Sequence, residues 1–314
     1  MEVCLFKQRN LLEIPLRFDA YLFLTSKHLL TQTTAEIFYF YLFRTNENAA
    51  AAVFQCILSF DQKWLSPARA PFGGIQCEDD CTVNEITFFI GCIDEWITSG
   101  EGNKIIIKLS PSCYNVNSDA LISDSLIKKN YKKTKNYSNH FIHVTSCTYE
   151  NLILASERRR LKKCIQTGFT SNIYKTPAIE IVYGFLQHCR SEKGYNLSVT
   201  APQLQELFTV FPKEIVVFTV KDQEKIIALN VTVRINQSIL YHFLSSHLSS
   251  YAQYSPAVML TEEIYTFCQI EGISILDLGI SLDHHGNEKP GLIRFKENIG
   301  GKRSYKSIYE KVLK

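Results

Sequence analysis

From residue 227 to 235 the chain alternates without a break. Ile227, Leu229, Val231, Val233 and Ile235 point one way, and Ala228, Asn230, Thr232 and Arg234 the other. A period of two is the period of a strand, so this segment is predicted to be an antiparallel strand with one face on a core. Asn236-Gln237 is a tight hairpin turn into a second strand over 238–245. Asp222-Gln223-Glu224-Lys225 turns the chain at the other end, which makes 215–220 the first strand of a meander. Around it the pattern lengthens to the helical period at 177–192, opened by Pro177, and at 201–211. A polar loop over 246–255 leads to a helix at 256–271, a short buried strand at 273–278, helical turns at 291–298 and a last strand at 304–312. The expected order is α-α-β-β-β-α-β-α-β.

The first half reads less sharply. Strands are expected at 37–44 and 49–60, joined as a hairpin through Thr45-Asn46-Glu47-Asn48. A Pro- and Gly-rich loop covers 66–74. Thr82 with Glu85 three residues on forms a capping box, and a helix should run from there to about Thr98. A strand at 104–109, a helix at 118–129 and a strand at 139–145 complete a β-β-α-β-α-β order. Both halves thus share a meander, helix, strand plan. The expectation is an α/β (α+β) mixed-sheet protein of two tandem domains, 1–150 and 151–314. The second opens with a basic connector helix, Ser156-Glu157-Arg158-Arg159-Arg160-Leu161-Lys162-Lys163. That run is either a solvated face or a contact for phosphate.

Composition removes several classes. Lys and Arg number 34 and Asp and Glu 31, a net charge of +3, unlike a dedicated nucleic-acid binder or an acidic tail protein. With 46% apolar and 21% charged residues in 314, the chain can bury a large core, and the length suggests two domains. The apolar runs fall short of the ~18 residues that span a bilayer, and no signal-peptide core is evident. The ten Cys lie scattered, mostly in apolar runs and without Cys-x-x-Cys, so they are expected to be reduced and the protein cytoplasmic. Cys77 and Cys81, and His140 and His143, match no strong zinc spacing, so no metal is expected. His284-His285 lies in a polar loop. No Gly-x-Ser-x-Gly nucleophile elbow occurs.

Leu276-Asp277-Leu278-Gly279-Ile280-Ser281, followed by Gly291-Leu292-Ile293-Arg294-Phe295-Lys296-Glu297-Asn298-Ile299-Gly300, resembles the C-terminal pattern of the FemABX and BioF2-like branch of the GNAT (acyl-CoA N-acyltransferase) superfamily. That pattern is Asp-x-Gly, a gap, then Gly-Leu-x-x-Phe-Lys-x-x-Phe-Gly; Ile299 stands where the second aromatic is usual. The strand order of the second half resembles the GNAT plan as well. The resemblance covers 151–314, and the first half by architecture alone. It implies two tandem GNAT-like domains and transfer of an acyl or aminoacyl group from an activated donor to an amine. It implies acetyl-CoA or another acyl-CoA as donor, or aminoacyl-tRNA. The superfamily's glycine-rich turn, which lets backbone N–H groups approach a pyrophosphate, is absent: Tyr251-Ala252-Gln253-Tyr254-Ser255-Pro256-Ala257 stands there. A catalytically silent module that binds a ligand or a protein is the alternative.

Acyl transfer needs a path for the amine's proton, a donor for the oxyanion and an acid for the leaving group. His242 is the candidate base, or a satisfied core histidine. Lys296, which matches the family Lys, is the candidate cation for an oxyanion or phosphate. Tyr305 is a weak candidate acid. Ser255 and Ala257, at the start of the 256–271 helix, and Arg294 are candidates for the donor, with Ser255 as a helix cap. Asp277 needs a partner on its buried strand, and Arg294 is the expected one. Arg69, Phe72 and Gly73 are expected to line a cleft, Gly73 through close approach to a ligand, or simply to form a turn.

Overall fold

The computed structural model describes residues 1–8, 13–194, 196–283 and 285–313. In chain order the elements begin with β1 (Glu2–Gln8), α1 (Ser26–Gln32), β2 (Ile37–Phe43), β3 (Ala52–Leu58), β4 (Lys63–Ser66), β5 (Ile75–Cys77), α2 (Val83–Thr98), β6 (Lys104–Lys108), α3 (Val116–Lys128) and β7 (Lys132–His143). They continue with α4 (Tyr149–Leu152), α5 (Ala155–Gln166), β8 (Thr170–Ile173), α6 (Ile179–Ser191), α7 (Ala201–Val210), β9 (Ile215–Asp222), β10 (Lys225–Asn236), β11 (Ile239–His247), α8 (Pro256–Ile270), β12 (Ile275–Ile280), α9 (Pro290–Asn298) and β13 (Lys302–Val312). Two compact units result, Met1–Ser138 with Ser304–Lys314, and Asn139–Arg303.

In the first unit the strand order is β1-β2-β3-β4-β6-β13, with β5 beside β3. The hairpin expected at 37–60 is β2–β3, antiparallel from Phe38↔Cys56 to Leu42↔Ala52. Its alternate residues serve two cores. Phe38, Phe40 and Leu42 pack with Trp64, Ile86, Phe89 and Ile107, while Ile37, Tyr39 and Tyr41 pack with Leu29 and Val53. The capping box of α2 forms: Thr82 Oγ1 accepts from Glu85 N, and Glu85 accepts from Thr82 N. In the second unit β7, from Asn139 on, is followed by β12, β11, β10, β9 and β8. The β9–β10–β11 meander is antiparallel and β11–β12 is parallel.

Two expectations are corrected. The division falls at Ser138/Asn139, inside β7, rather than near residue 150, and the last strand belongs to the first unit. Tyr309 and Leu313 explain why: they sit in the apolar cluster of Phe40, Phe54 and Ile107. The second correction concerns β10, expected to be covered on one face. Ala228, Asn230 and Thr232 are as fully buried as Ile227, Leu229 and Val231. α6 and α8 both pack on β10, so its polar face is roofed too. Among the described residues no helix is long and apolar enough to cross a membrane.

Candidate functional site

The second unit is distorted where its two parallel strands meet. β11 and β12 are in register over three pairs, Ile239↔Ile275, Leu240↔Leu276 and Tyr241↔Asp277. Beyond Tyr241, β11 carries an extra residue. Thr232 faces His242 and Val231 faces Leu244, so Phe243 is bulged out. β12 breaks step at the same level, between Asp277 and Gly279. Among the described residues the pairing of β11 with β12 ends there, and an unpaired strand edge offers N–H and C=O groups to a ligand.

Gly279 permits this break. Its φ is +73°, and an added Cβ would lie 3.2 Å from the Tyr241 ring. Asp277, 1% exposed, fixes the local backbone: Oδ1 accepts from Gly279 N and from Asn139 Nδ2, each at 2.8 Å. Arg294, expected to pair with Asp277, is exposed on α9 instead. Asn139, on the neighbouring strand, takes the place expected for it.

The distortion leaves two carbonyls for a cation. Lys296 Nζ, on a residue 6% exposed, donates to Gly279 O at 2.8 Å and Ile280 O at 2.9 Å. Burial pulls its pKa from the ordinary 10.5 to about 8, against the raising effect of the Asp277 charge. The C-terminal end of α9 is held by Gly300 and Gly301. Gly301 N donates to Lys296 O at 2.8 Å, where an added Cβ would lie 2.5 Å from that oxygen.

His242 stands opposite Thr232 on the face that carries Leu240. It is half-buried, and its Nε2 is enclosed with no hydrogen-bond partner among the described residues. Burial, and then the charge of Lys296, lower its pKa to about 3. An imidazole so depressed stays neutral at physiological pH and is too weak to store a proton. It can still donate or accept one hydrogen bond. His140, on β7 beyond β12, is fully buried, 3.7 Å from Glu297, and held below the usual range by burial and Lys296. The sequence offered it only as an unconvincing metal ligand. Its closeness to α9 depends on β7 pairing with β12, a long-range fact.

The start of α8 differs from expectation. Ser255 is left-handed, φ +55°, and its side chain caps nothing; its carbonyl instead accepts from Val258 N at 3.0 Å. Ala257 lies in the first helical turn, with its carbonyl bonded by Thr261 Oγ1 at 2.8 Å. One member of the basic run reaches this turn. Lys163, on α5, donates to Gln253 O at 3.4 Å and lies 4.6 Å from the Tyr254 ring centroid. Arg160 instead holds the buried Glu157.

The remaining candidates lie in the first unit. Phe72 is 2% exposed and packs on Tyr21, Phe23 and Tyr114 at 5.0–5.8 Å, so it is core and does not line a cleft. Gly73 is close to backbone, not open to a ligand: an added Cβ would lie 2.7 Å from Pro67 N. Arg69 Nη2 donates to Thr31 O at 2.6 Å. Tyr305, on β13, is 46% exposed, whereas its strand-mate Tyr309 is the buried aromatic. His285 is exposed, and His284 lies outside the described residues. All ten Cys are free thiols. Among the described residues no three His, Cys, Asp or Glu side chains gather as a metal would need.

Residues 186–297 match the family described as acetyltransferase (GNAT) domain. No curated protein matches the chain. Among solved structures, the crystal structure of FemX is similar with a TM-score of 0.71 at 12% identity, covering 94% of this chain and 93% of that one. The C-terminal domain of a putative lysylphosphatidylglycerol synthetase from Agrobacterium fabrum is similar with a TM-score of 0.60 at 13% identity, covering 91% and 86%. A tandem GNAT protein from the clavulanic acid biosynthesis pathway is similar with a TM-score of 0.55 at 5% identity, covering 88% and 83%. At such identities the structures testify to the fold. The bulged β11, the abbreviated β11–β12 pairing and the buried Lys296 all fall within or beside the matched segment, so residues 186–297 are similar to a GNAT acetyltransferase domain, and the fold is similar to that of FemX and of the tandem GNAT protein.

Proposed function

We propose that the protein is an N-acyltransferase, moving an acyl or aminoacyl group from an activated ester or thioester to an amine, with Lys296 as its central cation. The observation that carries this is the hydrogen bonding of Lys296. An ammonium has three N–H donors, and two are taken by Gly279 O and Ile280 O. The third remains for a developing oxyanion. In a poorly hydrated site such a donor is worth far more than in water.

The chemistry then follows. A neutral amine attacks the donor carbonyl, the carbonyl oxygen takes up negative charge beside Lys296, and the carbon–oxygen or carbon–sulfur bond breaks. The amine's proton leaves on the departing hydroxyl or thiol. Neutral His242 accepts or donates one hydrogen bond in this exchange but does not hold the proton. Lys163 and the first turn of α8, with Ser255 and Ala257, are proposed to hold the donor's phosphate. Exposed Arg294 is proposed to meet the donor farther out. An acyl-CoA and an aminoacyl-tRNA both offer that chemistry. A cytoplasmic location suits either.

The left-handed Ser255 favours a second reading, a silent ligand-binding module, because a non-glycine residue in that conformation narrows the approach to the turn. One experiment separates them. The purified chain is incubated with a panel of acyl-CoAs and of aminoacyl esters plus a simple amine, while unfolding temperature and amide product are followed. A donor at 100 times its Kd should stabilise the chain by about 2.7 kcal/mol. Stabilisation without product selects the silent module, and neither effect with any donor defeats both.

A further inference from the structure

We propose that Cys81 is a site of oxidation by hydroperoxides and that Cys77 resolves it into an intramolecular disulfide. The pair lies in the first unit and does not depend on the acyl-transfer reading.

Three residues, Glu78, Asp79 and Asp80, separate the two cysteines in sequence, and a tight turn closes that distance. Cys77 ends β5 opposite Ala52 of β3. The turn is shut by Cys81 N donating to Glu78 O at 3.2 Å. Both arms are tied to one anchor, the carbonyl of Ala51, which accepts from Glu78 N at 2.8 Å and from Cys81 Sγ at 3.5 Å. So held, the two thiols lie in one buried cluster and each shifts the other's pKa, Cys77 upward and Cys81 downward. The turn thus brings Cys77 and Cys81 to the same carbonyl at the end of β5.

Charge singles out Cys81 of the two. Arg44 Nη2 lies 3.9 Å from its sulfur, and the same guanidinium grips Glu78, Asp80 and Glu85, which fixes its position. The neighbouring Cys77 thiol and the charge of Arg44 favour a Cys81 thiolate; burial and the carboxylates of Glu85 and Asp80 oppose it, and the balance lies below the ordinary 9.0. Cys77 is pushed the other way. A cation-stabilised thiolate beside a second thiol is the charge arrangement of a redox-sensitive cysteine, here at a sulfur on a residue 8% exposed. The other buried thiols lack it: burial pushes those of Cys164 and Cys268 up, to about 11 and about 12.

The steps balance with one equivalent of hydroperoxide. The Cys81 thiolate attacks the peroxide oxygen, the O–O bond breaks, and sulfenic acid and hydroxide (or alkoxide) result. The Cys77 thiol then attacks the sulfenic sulfur, the S–O bond breaks, and water leaves with the Cys77 proton. Sulfur loses two electrons in all, and the peroxide gains them. A dithiol reductant reverses the change by exchange.

The test uses the full chain and one equivalent of hydrogen peroxide, followed by alkylation and peptide mapping without reduction. The peptide holding both Cys77 and Cys81 should appear lighter by two hydrogens, forming about tenfold faster than exposed Cys147 is lost. Cys81→Ser should abolish the change and leave Cys77 alkylatable after denaturation. Cys77→Ser should leave a sulfenic acid at Cys81 that a cyclic dione captures. Circular dichroism checks that both variants fold; if either does not, the wild-type map alone decides. Loss of Cys147 ahead of the pair, or a Cys81 in Cys77→Ser that neither captures dione nor over-oxidises, overturns the proposal.

Discussion

Lys296 is buried as a cation, and that choice can be read by titration. Its pKa is about 8 in the folded chain against 10.5 ordinarily. Between those values the unfolded chain binds more protons, so stability should rise with pH across that window. The full shift corresponds to about 3 kcal/mol. Lys296→Met removes this slope, so the wild type should gain on the variant by that order between pH 8 and 10.5 in urea unfolding. The substitution also strands two buried carbonyls, at a cost of about 1–3 kcal/mol near neutral pH. A surface lysine would show neither effect. On the proposed function, acyl transfer by the variant should fall roughly 100-fold, and wild-type turnover should decline above about pH 8. Loss of turnover with an unchanged pH slope would assign the charge to another group.

The histidines titrate with the opposite reach. His242, and His28 in the first unit, are both lowered to about 3 by burial. From about pH 6.5 downward the unfolded chain takes up protons that the folded chain refuses, so stability should fall with acid. At pH 5 each histidine should account for about 2 kcal/mol. His242→Gln should therefore flatten the loss between pH 7 and 5 by that amount. An unchanged acid profile would mean that His242 is hydrated in solution.

At the level of elements, short-range chemical signals are legible in the sequence. Thr82 and Glu85 announced α2 because a capping box is a short-range chemical signal. Thr82→Ala should cost about 1 kcal/mol in denaturant unfolding, and no change would mean the cap is frayed. The β9–β10–β11 meander followed from alternation and turn residues. The missed elements have little local signature. β4 and β5 are only four and three residues long, and β1, at the chain's start, carries no turn signal to announce it. The first half of β7, Lys132-Lys133-Thr134-Lys135, is polar and exposed, so no hydrophobic pattern betrays it. The site divides the same way. Lys296 stood out through its motif, but its partners are carbonyls on another element, which no motif names. Asp277 was marked as needing a partner, yet Asn139 became its neighbour only through β12–β7 pairing. Gly73 looked like a ligand contact because glycine marks close approach without saying to what.

For the molecule as a whole, the decisive feature is that Ser304–Lys314 belongs to the first unit. A chain ending at Arg303 loses β13, and with it Tyr309 and Leu313 from the cluster of Phe40, Phe54 and Ile107. Removing two such side chains costs several kcal/mol, at about 2–5 for each large apolar residue deleted. Because a domain holds only about 5–15 kcal/mol in reserve, the first unit should become protease-sensitive while Asn139–Arg303 stays resistant. Equal resistance of both parts after limited digestion would show that β13 is dispensable.

The same return of the chain sets a timetable for the ribosome. Synthesis runs at roughly 5–20 residues per second, and N-terminal domains generally fold as they emerge. Here the first unit cannot close when its own 138 residues are out, because its last strand is encoded after the whole of the second. The hydrophobic sheet edge at β6 must wait through the translation of another 165 residues, Asn139–Arg303, before β13 arrives. Nascent chains are thus exposed to chaperones, or to one another, for longer at their beginning than at their middle. A cut between the two halves at Ser138/Asn139 severs β7 and parts β13 from the strands it completes.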